Sequence, residues 1–94
     1  MADGVNISSL QFCSYICVQP PTVNKTWAIT YDECEVYTIY GKTGSKLNFY
    51  RKLFNSRHEA ENYITKKIAE KERKGYSSNG FMSVDDSELN FATS

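Results

Sequence analysis

The sequence predicts an α+β fold, a four-stranded antiparallel sheet followed by one long helix packed on one face. Three observations carry that prediction. Four short runs alternate apolar and polar residues, the period of a half-buried strand. Short connections between consecutive runs favour an antiparallel meander. After Ser56 the apolar spacing changes to three and four residues, which is that of a helix with one buried stripe.

The first strand spans Leu10 to Val18, with Leu10, Phe12, Ile16 and Val18 on one side and Gln11, Cys13, Tyr15 and Cys17 on the other. Pro20 and Pro21 end it, because neither can donate to a ladder. Thr26 to Tyr31 sets Trp27, Ile29 and Tyr31 on one face, and Asp32-Glu33-Cys34-Glu35 turns into a third strand, Val36 to Gly41. Lys46 to Phe54 alternates again, with Leu47, Phe49 and Leu53 opposite Asn48, Tyr50 and Lys52.

The helix is marked at both ends. Ser56 caps the first turn while Glu59 reaches back to complete a capping box. Ala60, Tyr63, Ile64, Lys67, Ile68 and Lys71 form its stripe, Arg73 and Lys74 suit the dipole at its end, and Gly75 supplies a left-handed stop. Residues 1–8 are expected to be a flexible N-terminus, 9–77 the domain, and 78–94 an acidic C-terminal tail, partly disordered or docked. Phe81, Met82, Val84, Leu89 and Phe91 are too many apolar residues for an inert linker. The tail's acids are expected to fold back over the basic strands and compete with phosphate.

Eleven Lys and Arg cancel eleven Asp and Glu, which argues against a surface devoted wholly to nucleic acid or anionic lipid. The layout is nevertheless uneven. Between Val36 and Tyr76 stand ten basic residues against four acidic ones, and Val36 to His58 contains no acid at all. Both flanks are acidic. No apolar run approaches the ~18 residues of a membrane span, so a soluble, cytoplasmic protein is expected. The triplets Asn6-Ile7-Ser8 and Asn24-Lys25-Thr26 then carry no glycan.

Of the three cysteines, Cys13 and Cys17 would lie about 13 Å apart along a strand, at about 3.3 Å per residue, which excludes a local disulfide. With one histidine and no Cys-x-x-Cys spacing, no zinc site is expected. No cofactor is expected. His58 and the pair Asp85-Asp86 do not assemble a nucleophile with its base, so an enzyme is not expected either.

Gly41-Lys42-Thr43 has the look of a nucleotide-binding loop, but the glycine required five positions earlier is Val36, and a strand follows where a helix should open. Four stretches point elsewhere: Asn24-Lys25-Thr26-Trp27, Tyr40-Gly41-Lys42-Thr43-Gly44, Phe54-Asn55-Ser56 with Glu59-Ala60, and Lys71 with Lys74-Gly75-Tyr76. In order and spacing they resemble the WGR domain, which is named for a Trp-Gly-Arg signature and found in DNA-dependent poly(ADP-ribose) polymerases and small bacterial proteins. Tyr40 stands where that family has Trp and Lys42 where it has Arg, while Leu47-Asn48 replaces a frequent Gly-Gln.

The resemblance implies a WGR-like fold and a non-enzymatic module that binds DNA at a duplex end, a 5′ phosphate or a nick. In that reading Tyr40 stacks on the terminal nucleotide, the Gly41 backbone approaches closely, and Lys42 meets a phosphate. Lys46, Arg51 and Lys52 neutralise neighbouring phosphates. Lysine keeps the charge but loses the planar fork of arginine. The alternative is a protein-interaction module that binds a larger protein in place of, or alongside, its own WGR domain. Neither reading calls for a membrane or a small-molecule substrate. The cations of the helix read as a solvated face.

Overall fold

A computed structural model describes residues 7–18 and 24–91 of the chain. A 3-10 turn, Ile7–Ser9, precedes β1 (Phe12–Cys17), β2 (Lys25–Asp32), β3 (Glu35–Lys42) and β4 (Leu47–Leu53). Helix α1 (Arg57–Arg73) follows, then β5 (Ser77–Met82), a second 3-10 turn (Asp86–Glu88) and β6 (Leu89–Phe91). The six strands form one sheet in the order β5-β1-β2-β3-β4-β6. Every pair is antiparallel except β4 with β6.

The α+β class is as expected, but the sheet is mixed and has six strands rather than four. β5 pairs with the open edge of β1, Phe12 opposite Met82 and Ile16 opposite Ser77, with an irregularity between Cys13 and Tyr15. Its Ser-Ser-Asn-Gly-Phe-Met sequence neither alternates nor favours strands, so tertiary pairing and not local propensity makes it one. β6 is three residues long and sets Leu89 beside Leu47. Pro20 and Pro21 lie outside the described residues, as does most of the N-terminus expected to be flexible.

Helix α1 starts and stops on side-chain and glycine chemistry. The Ser56 hydroxyl accepts from the Glu59 backbone N–H at 3.2 Å, and the Asn55 N–H donates to the Glu59 carboxylate. At the other end Gly75 has φ 101°, and the N–H groups of Gly75 and Tyr76 bond back to the carbonyls of Glu72 and Lys71. That is the two-bond left-handed stop that glycine permits.

Both faces of the sheet are covered. Under α1 lie Tyr15, Trp27, Ile29 and Val36, packed with Ala60, Tyr63, Ile64 and Ile68. On the opposite face Phe12, Ala28, Tyr37, Ile39, Leu47 and Phe49 are covered by Val84 and Leu89, with Ile7, Leu10 and Met82 at the margin. The central hairpin β2–β3 is thus buried on two sides, which alternation alone does not reveal. Leu53, expected on the apolar side of its strand, is 70% exposed at the end of β4.

The segment from Met82 to Leu89 covers the face away from α1, not the face the helix occupies. Leu89→Ala removes a side chain only 4% exposed and should cost about 2–5 kcal/mol in urea denaturation. A loss below about 0.5 kcal/mol, typical of surface positions, would contradict this packing.

Candidate nucleic-acid interface

The eight-pair register of β2 and β3 sets Trp27 opposite Tyr40 and Thr26 opposite Gly41. Alternation then sends Val36, Thr38 and Tyr40 to the helix side, and β4 adds Tyr50 and Lys52. Tyr63, Lys67 and Lys71, each four residues from the next, form the facing wall on α1. An open groove of about 630 Å³ lies between these walls.

Rings and ammonium groups alternate along it. Tyr40 and Tyr50 stack at 5.3 Å with planes 10° apart, their hydroxyls 3.1 Å from each other, and each ring is a little over 40% exposed. Lys52 Nζ lies 5.3 Å from the centre of the Tyr63 ring and 5.5 Å from that of Phe54. Lys67 Nζ is 5.7 Å from Tyr63, and Lys71 Nζ is 5.6 Å from Trp27 and 5.5 Å from Tyr76. These are distances at which an aromatic face attracts a cation.

The electrostatics favour an anion. None of the residues lining the groove is a carboxylate. Burial holds Lys71 below the usual lysine range, and the charge of Lys74 adds to the effect. Beside the groove Lys67 bonds Glu70 at 3.3 Å, which lowers the Glu70 carboxyl. The Tyr50 hydroxyl is raised chiefly by its bond with Tyr40.

The residues nominated from sequence divide. Tyr40, Arg51 and Lys52 line the groove. Arg51, however, is tied: its Nε lies 2.8 Å from the Glu35 carboxylate, which also accepts the Tyr37 hydroxyl at 2.7 Å. Gly41 faces inward, where an added Cβ would stand 3.3 Å from Leu47 Cδ2, so the close approach is to the protein's own core. Lys42 is exposed at the end of β3, opposite Lys25. Lys46 borders a separate cavity of about 400 Å³ with Thr26, Thr43, Ser87 and Glu88. Glu88 of the C-terminal segment therefore stands near Lys46, and none of that segment's acids lines the groove. Tyr50, Tyr63, Lys67 and Lys71 were not among the residues nominated from sequence, although the last three belong to the stripe expected on the helix.

The turn after β3 is locked by a 2.7 Å contact between the hydroxyls of Thr26 and Thr43, and by the Thr43 N–H donating to the Asn24 carbonyl. It leads into β4, not into a helix, which removes the nucleotide-loop reading. Among the described residues no helix is long and apolar enough to cross a membrane.

A twisted sheet carrying one helix and a cationic, aromatic-lined groove defines a small recognition module. The WGR domain model matches residues 14–82, and the chain belongs to the WGR family, whose domains bind nucleic acids. It is also similar to the crystal structure of a Bacteroides fragilis protein solved by the Northeast Structural Genomics Consortium, with 31% identity and a TM-score of 0.68. That match covers 74% of this chain and only 19% of the other. No curated protein matches.

Burial, and then the bond to Glu35, raise the Tyr37 hydroxyl far above the usual tyrosine range. Its folded pKa exceeds its unfolded value near 10, so its contribution is complete below about pH 10 and is lost as pH climbs toward the folded value. Between about pH 8 and about pH 11 the native chain should lose about 1 kcal/mol more stability than Tyr37→Phe. Urea titrations at the two pH values measure this, and equal losses would contradict it.

Proposed function

We propose that this chain is a non-enzymatic module that binds DNA at duplex ends or nicks. The observation that carries the proposal is the groove itself, in which the stacked Tyr40–Tyr50 pair and the ammonium groups of Lys52, Lys67 and Lys71 share one concavity with no lining carboxylate. A terminal nucleotide can continue the tyrosine stack while its phosphates meet the lysines, a combination that binds without reading sequence.

The family's signature tryptophan is here one member of a pair of tyrosines, which restores the aromatic area a single phenol lacks. Lys42 and Lys25, side by side at the end of the β2–β3 hairpin, supply charge where the strand leaves the groove. A lysine meets phosphate as a point charge and not as a fork, so affinity here depends on several cations acting together. His58, the sequence's sole histidine, stands exposed in the first turn of α1.

Titration of blunt duplexes with and without a terminal 5′ phosphate, at low and high salt, tests the proposal. Tyr40→Ala should weaken binding by about 1–3 kcal/mol, the contribution of one stacked base. Lys42→Ala should weaken it across sequences and reduce the slope of log affinity against log salt by about 1. Absence of binding at low salt would overturn the proposal and leave a protein partner as the ligand.

A further inference from the structure

We infer that the groove takes an unpaired stretch of a DNA strand, so that ends with a single-stranded overhang bind in preference to blunt ends. This rests on the nucleic-acid reading above and specifies the form of end that the same site accepts.

The breadth of the stacking platform is the first ground. Tyr40 and Tyr50 lie near parallel, 10° apart, with ring centres 5.3 Å from each other, an offset stack that leaves part of each face open. A lone base can add to such a stack. A blunt end instead presents a paired surface two bases wide, and α1, with Tyr63, Lys67 and Lys71, stands as a wall along one side.

The second ground is the placement of the charges. Lys67 and Lys71 are one helical step of four residues apart, a rise of about 6 Å along α1, and Lys52 faces them across the Tyr63 ring. Lys67, which also bonds Glu70, and Lys71 follow one another along the groove, a path that an extended strand can take with successive phosphates. Lys71 is half-buried and lies over the buried Trp27. The groove volume of about 630 Å³ is that of a small-ligand site, generally about 300–1,000 Å³, and suits a few unpaired nucleotides. A cationic trough with interleaved rings is how single strands are held irrespective of sequence.

Fluorescence anisotropy with the full chain and matched duplexes decides the matter. The duplexes are blunt, tailed with about four nucleotides at the 5′ or 3′ side, or tailed with about four abasic nucleotides. At least one base-bearing tail should bind about tenfold or more tighter than the blunt duplex, with the abasic tail losing most of that gain. Tyr50→Ala and Lys67→Gln, checked for native circular dichroism, should each pull the tailed-to-blunt ratio toward one. Equal affinity for blunt and base-bearing tailed duplexes overturns the inference while the duplex-end reading stands. An abasic tail as good as a base-bearing one overturns it too, since charge alone would then be responsible. If no duplex binds at low salt, the nucleic-acid reading itself has failed, and the inference with it.

Discussion

The register of the β2–β3 hairpin is the constraint on which the remainder of the molecule depends. Trp27 faces Tyr40 across the ladder, and both strands are covered on both faces. A slip of one residue would carry Tyr40 from the groove to the face occupied by Val84 and Leu89, and would turn Tyr37 out of the core on that face. Two local devices hold the register. Thr43 closes the turn against Thr26, and the absence of a side chain at Gly41 lets Leu47 pack inward as β4 begins. Because the hairpin needs cover on both sides, the helix and the C-terminal segment are two halves of one requirement.

Much of this was legible in the residues. The capping pair Ser56 and Glu59 and the glycine at position 75 marked the ends of the helix, and alternation found the first four strands. Tyr40 and Lys52 both line the groove because they sit on strands whose inward and outward positions follow a period of two. β5 and β6 were not legible, since their residues form strands by meeting the edges of β1 and β4, a long-range event with no local pattern. Arg51 looked like a free cation for the same reason: its partner Glu35 is remote in sequence and becomes its neighbour only through the β3–β4 ladder. Lys67 and Lys71 read as solvated because helical spacing fixes which residues share a stripe, not where that stripe falls over the sheet.

The balanced total charge conceals a segregated surface. Carboxylates are absent from the groove lining, whereas the acidic 3-10 turn Asp86–Glu88 belongs to the segment that covers the opposite face. Aromatic rings flank Lys52 and Lys71 without neutralising them, whereas Lys67 also bonds the Glu70 carboxylate. The chain differs from its family at two of the three signature positions, Tyr40 and Lys42, and presents tyrosines and lysines together along one groove.

Whether that set is the ligand site is most directly measured by backbone amide chemical shifts of the ¹⁵N-labelled chain during titration with a short DNA duplex. The account predicts perturbations concentrated at Thr38, Tyr40, Tyr50, Lys52, Tyr63, Lys67 and Lys71. Perturbations confined to Thr43–Lys46 and Ser87–Glu88, on the other side of the sheet, would contradict it.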